Sequence, residues 1–153
     1  TIRAKLGRVR EALAKARLDA LVDAQITGQA AHGHCFWAVE AKQDGALIGM
    51  CGLRIGGHPG TGVARELEIG WRIAEAHWGR GYAREAAQAS IEWGWAHTAA
   101  SRIAAWTGAA NRRSWGLMER LGMARRPDLD FDHPRFPVGD PVGRMLVYVV
   151  ERA

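Results

Sequence analysis

His77-Trp78-Gly79-Arg80-Gly81-Tyr82-Ala83-Arg84-Glu85-Ala86-Ala87 is the stretch on which the reading of this chain turns. Two glycines flank an arginine, and small residues at helical spacing follow at once. The residues just ahead, Leu67-Glu68-Ile69-Gly70-Trp71-Arg72-Ile73-Ala74, read as a strand. A strand, a glycine-rich turn and a helix start together line up free backbone N–H groups at the positive end of a helix dipole, and such a row binds phosphate. The turn follows neither the GxxxxGK[ST] nor the GxGxxG pattern. The ligand expected is therefore a pyrophosphate held in another way.

Outward from that turn, the chain divides into alternating patterns. Residues 1–24 read as an amphipathic helix, because Ile2, Leu6, Val9, Leu13, Leu21 and Val22 recur at steps of three and four opposite a basic face. Residues 29–33 read as a small, polar break. Residues 34–40 and 46–55 read as strands joined by a turn at 42–45, residues 56–62 as an exposed glycine-rich loop, and 63–74 as a third strand. Behind the turn, residues 81–98 form the second helix, with Ala83, Ala87, Ile91 and Gly94 making a narrow face that lets it lie close to a sheet. Residues 99–107 read as a strand and 111–121 as a third helix, which Gly122 stops in the left-handed conformation. An edge strand at 123–130, an irregular loop at 131–141 and a strong strand at 143–151 complete the order. This predicts one α/β (α+β) layered domain with a mixed central sheet flanked by helices.

Composition narrows the class. The 48% hydrophobic and 24% charged content is that of a globular protein. No apolar run approaches the roughly 20 residues of a membrane span. Residues 1–17 alternate apolar and basic positions, unlike a secretory leader, so the cytoplasm is the expected compartment. The net charge of +5 favours anionic partners such as a nucleotide. If Asp44-Gly45 were a two-residue hairpin turn, Cys35 would face Arg54 and Cys51 would face Ala38, on opposite faces. No disulfide is then expected.

Two motifs carry a resemblance. Trp78-Gly79-Arg80-Gly81-Tyr82-Ala83 with Glu85-Ala86 resembles the acetyl-CoA pyrophosphate loop of the GNAT N-acetyltransferases, with Trp78 in the first place as in the RimJ/RimL-like branch. Asn111-x-x-Ser114-x-x-Leu117-Met118-Glu119-Arg120-Leu121-Gly122-Met123 is similar to that branch's Asn-x-x-Ser helix, and Asp130-Phe131-Asp132-His133-Pro134 to a run near its C-terminus. The resemblance covers residues 35–151. It implies a GNAT acyl-CoA N-acyltransferase fold, with strands 65–74 and 101–107 splayed around the pantetheine arm of acetyl-CoA. The family normally opens with a further strand and helix, not recognisable here. The resemblance therefore implies an N-terminally truncated domain over residues 1–153, or a sheet completed otherwise.

Site residues follow from the same resemblance. Backbone groups of Trp71, Arg72 and Ile73 would bond the pantetheine amides, and the amides of Trp78, Gly79, Arg80, Gly81, Tyr82 and Ala83 the pyrophosphate. Acetyl transfer to an amine requires a base, oxyanion stabilisation and a proton for the departing thiolate. The candidate base is Glu68, directly or through water, with Glu66 as the alternative on the same strand face; either could equally be a plain strand carboxylate. Ser114 is the candidate acid toward the CoA sulfur, or else a serine bonded to a carbonyl one turn back. Asn111 would cap its helix, contact pantetheine, or both. Attack is expected to be direct, since neither cysteine lies in a motif.

Other clusters yield less. His32-x-His34-Cys35 lacks a fourth ligand at zinc-like spacing, so no metal is expected. His133 either lines the acceptor site or sits in an Asp-Pro turn. Trp93, Trp106 and Trp115 are expected in the core, and Trp37 and Trp71 beneath a substrate cleft. The partners expected are acetyl-CoA and an amine, either a protein N-terminus or a small molecule, with homodimerisation open and neither membrane nor nucleic acid involved. A polyamine would favour an acidic cleft, for which Asp128, Asp130, Asp132 and Asp140 are the only cluster. The competing reading is a non-catalytic basic module of the same fold that senses acyl-CoA or binds nucleic acid with a steep salt dependence.

Overall fold

The computed structural model describes residues 2–153, with side chains from residue 11 onward. They fall into two compact units, one ending at Cys35 and the other Phe36–Ala153. The first unit is a single long helix, α1 (Ile2–His32). It runs past the predicted end at residue 24, because Ala30 and Ala31 favour helix and Gly28 is tolerated within it. Gly33, at φ +77°, then stops it, donating its N–H to the Gln29 carbonyl at 2.9 Å. Thus 29–32 is helix rather than a break. The stripe positions Ile2, Leu6 and Val9 lie outside the described side chains; Leu13 and Val22 are exposed.

The second unit is built on a seven-stranded sheet. Its strands are β1 (Phe36–Glu40), β2 (Leu47–Ile55), β3 (Leu67–Ile73), β4 (Arg102–Gly108), β5 (Ala124–Arg125), β6 (Phe131–Asp132) and β7 (Arg144–Glu151). Helix α2 (Tyr82–His97) connects β3 to β4, and α3 (Arg112–Arg120) follows β4. The order across the sheet is β1-β2-β3-β4-β7-β5, with β6 also paired to β7. Every pairing is antiparallel except β3 with β4, where α2 supplies the crossover that parallel strands need. The mixed sheet and flanking helices are those predicted.

One face of the sheet packs under the helices. Cys51, Leu53, Leu67, Ile69, Ile103, Ala105 and Tyr148 meet Ala87 and Ile91 of α2 and Leu117 and Met118 of α3, with Trp71, Trp93 and Trp115 at the margin. Gly94 brings α2 close, since a Cβ there would lie 2.7 Å from Leu53 Cδ1. The other face is a smaller cluster of Val63, Ala104, Phe131, Met145, Val147 and Val149, with Trp106 alongside. Strict alternation along β3 sends Leu67 and Ile69 to the helix side and Glu66, Glu68 and Gly70 to the other.

Three local expectations change. The first hairpin is closed not by two residues but by a four-residue loop: Ala41 and Ala46 flank it, Gly45 takes φ +70°, and Asp44 Oδ1 accepts from the Ala46 amide. A register irregularity at Val39/Glu40 follows, so Cys51 faces Trp37 rather than Ala38. Both thiols are nonetheless free, and burial pushes that of Cys51 up to about 11. The 56–62 loop is not merely exposed: Gly56 lies against the Glu68 side chain, Gly57 against the Val63 carbonyl and Gly62 against Leu129. The edge strand expected at 123–130 shortens to two residues, because Pro127 turns the chain into a 3-10 helix at Pro127–Leu129.

Candidate functional site

Strands β3 and β4 touch at a single register pair, Glu68↔Ala104. By contrast, β3 pairs with β2 over seven positions and β4 with β7 over seven. The parallel seam therefore opens beyond residue 68, leaving Gly70–Ile73 and Trp106–Gly108 on its two lips. At the closed end the Arg102 guanidinium grips Glu66 across the seam, its Nε 2.9 Å from the carboxylate, and also reaches the Gly62 carbonyl. Glu66 is thereby committed to holding the seam.

The glycine turn stands at the open end. After β3 the chain makes one 3-10 turn (Glu75–His77) and then Gly79 and Gly81 take φ +73° and +82°. Gly81 is the N-cap of α2, and no side chain bonds to the helix's first amides. Those amides have no partner within a helix. A Cβ built on Gly79 or Gly81 would meet no atom within 4 Å, so the space over them is open. Arg80 is exposed. A pyrophosphate fits the bare, positively polarised helix end.

Trp78 fixes this turn. Its indole N–H donates to the Ile73 carbonyl at 2.7 Å, so that carbonyl, one of the groups expected to face pantetheine, is engaged within the protein. The Arg113 guanidinium lies 4.4 Å over the same ring and ties the start of α3 to the turn. Asn111 caps α3, accepting from the Ser114 amide at 3.4 Å while its own amide donates to Thr107 Oγ1 at 3.0 Å. Ser114 is half-buried, and among the described residues no hydrogen bond engages its hydroxyl. The carbonyl one turn back does not hold it.

Glu68 lies on the opposite face of the sheet. Only 8% exposed, it receives Arg54 Nε at 2.8 Å and Arg54 Nη2 at 3.3 Å from the facing position on β2. Burial raises its pKa, and the Arg54 hydrogen bonds and charge, with the charge of His58, offset part of the rise. Arg54 in turn sits 4.7 Å over the Phe36 ring. The structure thus sets the turn, Asn111 and Ser114 with the helices on one face of the sheet and Glu68 on the other. Trp71, expected beneath a cleft, packs with the helix-side core.

Sequence reasoning missed Arg54 and Arg113, which lie against Glu68 and Trp78; the signal for Arg54 needed the β2–β3 register. His133 does join the Glu68 side of the sheet, its ring 4.6 Å from that of His58. Three of the four acids are paired with arginines, Asp128 with Arg126, Asp130 with Arg125 and Asp132 with Arg144, while Asp140 accepts from the Val142 amide. Among the described residues no group of three His, Cys, Asp or Glu could hold a metal, and no helix is long and apolar enough to cross a membrane.

Comparison with known proteins agrees with this geometry. Residues 5–124 match the family model described as an acetyltransferase (GNAT) domain. The chain is 34% identical over 92 residues to the uncharacterized protein YkkB of Bacillus subtilis, covering 60% of this chain and 52% of that one. It therefore spans about half the length of that curated relative. An acetyltransferase from Agrobacterium tumefaciens is similar in structure, with a TM-score of 0.64 and 28% identity over 84% of this chain and 67% of the other. The ribosomal-protein-S5-alanine acetyltransferase from Vibrio fischeri shares the fold, with a TM-score of 0.65 and 16% identity over 83% of this chain and 67% of the other. The open parallel seam, the bare helix start behind it and the family match over most of the chain lead to one conclusion: this protein belongs to the GNAT acetyltransferases, a family that transfers acetyl groups from acetyl-CoA to amines.

Proposed function

We propose that this chain is an N-acetyltransferase of the RimJ/RimL-like kind, passing the acetyl group of acetyl-CoA to a primary amine by direct attack. The observation that carries the reading is the single β3–β4 register pair, with two left-handed glycines and an uncapped helix start at the open end of the seam. The pyrophosphate would lie on the amides of Gly79 to Ala83, with Arg80 and the Arg113 guanidinium adding charge. The pantetheine would run along the lip at Trp71 and Arg72, and Asn111 would border it. Ser114, with its hydroxyl uncommitted, would protonate the departing thiolate. Glu68 supplies the negative charge that draws a proton from the incoming amine. Both cysteines lie outside these contacts, in keeping with a reaction that forms no acyl-enzyme.

The acceptor side favours an amine with few positive charges. Asp128, Asp130 and Asp132 are each taken by an arginine, and Arg135 has no carboxylate partner among the described residues. A peptide N-terminus or a small monoamine suits these surroundings better than a polyamine. A cytoplasmic site of action would follow from such substrates.

Isothermal calorimetry with acetyl-CoA tests the assignment first, and a blank at sub-millimolar protein would sink it. Ser114→Ala and Glu68→Gln should then lose turnover in a thiol-release assay across N-terminal peptides, monoamines and spermidine, with acetyl-CoA affinity largely kept. Full rates in both variants would overturn the assigned roles, and spermidine as the fastest acceptor would overturn the acceptor class.

A further inference from the structure

We propose that Arg113 is a positioning residue: stacked on Trp78, it completes a strap across the open end of the seam and fixes where Ser114 stands. This role rests on the acetyl-transfer reading, in which Ser114 meets the departing thiolate.

The strap can be followed contact by contact from one lip of the seam to the other. On the β3 side it starts at the Ile73 carbonyl, which receives the Trp78 indole N–H at 2.7 Å. The next residue, Ala74, donates its amide to the Ile48 carbonyl at 2.9 Å, so this anchor is held by β2. The Arg113 guanidinium lies 4.4 Å over the Trp78 ring and carries the connection to the first turn of α3. Asn111, the cap of that turn, donates to Thr107 Oγ1 at 3.0 Å and so reaches the β4 lip. Thr107 is in turn paired with Leu146 of β7. Each anchor thus belongs to its own half of the sheet, and the strap spans the gap where the β3–β4 ladder is open.

Two features single out the middle link. A cation in the first turn of a helix opposes the helix dipole. Helix α3 nonetheless begins with Arg112 and Arg113 and has no acid in that turn. Helix stability therefore does not explain an arginine at 113, whereas the stack on the indole does. Trp78 is equally out of place as a core residue, since it is 45% exposed. Its bond to Ile73 and the guanidinium above it are what hold the ring.

Ser114 follows Arg113 directly. Its amide donates to Asn111, to the carbonyl at 3.1 Å and to Oδ1 at 3.4 Å. Its hydroxyl takes part in no hydrogen bond among the described residues. The place of that hydroxyl is therefore set through the backbone, by the cap behind it and the stacked arginine beside it. Loosening either one moves the serine relative to the seam.

Arg113→Lys separates the strap from the charge, because a lysine ammonium keeps the positive charge but does not reproduce a guanidinium stacked on an aromatic face. The acetyl-CoA Kd by calorimetry should stay near the wild-type value. In the thiol-release assay kcat should fall by about 10–10²-fold, the cost of misplacing a reacting group by about an ångström. Trp78→Phe keeps a ring but removes the donor to Ile73, and Thr107→Val removes the far anchor; both should lower kcat in the same way. Because the strap acts through Ser114, all three changes should cost little more in a Ser114→Ala background. Amide hydrogen exchange reads the strap without any acceptor: the Ser114 and Trp115 amides should exchange faster in each of the three variants. Wild-type kcat in Arg113→Lys, equal losses with and without Ser114, or unchanged exchange at Ser114 and Trp115 would each overturn the strap. A calorimetric blank for the unaltered chain with acetyl-CoA would instead remove the acetyl-transfer reading, and the exchange rates would still show whether the strap holds α3.

Discussion

Gly81→Ala and Gly122→Ala form a matched pair that isolates the binding role of the turn. Both glycines are left-handed, at φ +82° and +79°, and a Cβ on either would meet no protein atom within 4 Å. Steric clash within the protein is therefore absent from both, and the cost is conformational. Placing an L-residue in the left-handed region costs about 1–2 kcal/mol. Restricting the unfolded chain by exchanging Gly for Ala returns about 0.4–1 kcal/mol. Each variant should thus lose about 1 kcal/mol of stability, read from urea midpoints at constant slope. The two differ in what the open space is for. At Gly122 it is the end of α3, whereas at Gly81 it is the start of α2, where the methyl group would stand among the amides offered to a pyrophosphate. Gly81→Ala should therefore lose at least tenfold in acetyl-CoA affinity by calorimetry, about 1.4 kcal/mol, and Gly122→Ala almost none. Equal affinities in the two variants would refute the reasoning, since the amides of the turn would then not be the phosphate site.

Three further outcomes are expected. Gly94→Ala places a methyl 2.7 Å from Leu53 Cδ1 and 3.2 Å from Ile103 Cδ1; overpacking of about 1–3 kcal/mol against a helix-propensity gain of about 1 kcal/mol leaves a net loss in urea unfolding, and a more stable variant would contradict the packing. Asn111→Ala removes the α3 cap and should cost about 1 kcal/mol, with a decline in helix signal on heating that Asn111→Ser largely restores. Arg54→Ala has a pH signature. Glu68 already has a raised pKa, so its folded state favours the protonated form: that contribution is present below the unfolded value and lost as pH rises through the folded one. Without Arg54 the folded pKa rises further, and the stability deficit should grow from acid to alkaline pH toward about 2 kcal/mol. A deficit that is the same at pH 4 and pH 8 would refute the pairing.

Sequence alone made the local features legible. The left-handed glycines at 79, 81 and 122 and the Asn111 cap depend on residues within a few positions of each other, so composition and spacing reveal them. The narrow face of α2 was equally visible, because helical periodicity reports it directly. What failed depended on register. A two-residue turn at Asp44-Gly45 and the observed four-residue loop share the same residues, but Asp44 capping the Ala46 amide selects the longer loop and shifts the pairing of Cys51. The Arg54–Glu68 fork was invisible for the same reason, since it appears only once β2 and β3 are aligned over seven positions. The 56–62 loop looked exposed because glycine and proline usually mark solvent, whereas here two of its glycines permit contact with Glu68 and Val63. The candidate base and acid, Glu68 and Ser114, could be placed on one strand and one helix, but the alternation of β3 alone could not show that they lie on opposite faces of the sheet.

The seam between β3 and β4 also divides how this protein tolerates change. A continuous ladder transmits any one-residue slip to every strand beyond it, since each rung fixes the next. Here, among the described residues, a single register pair joins the two halves of the sheet, with the Glu66–Arg102 grip beside it. Insertions or register drift in the half made by β4, β7 and β6, which carries the 133–143 loop, need not disturb the half that carries the glycine turn. Such a sheet can remodel one wing while the other keeps its shape, a modularity written into the number of rungs rather than into any single side chain.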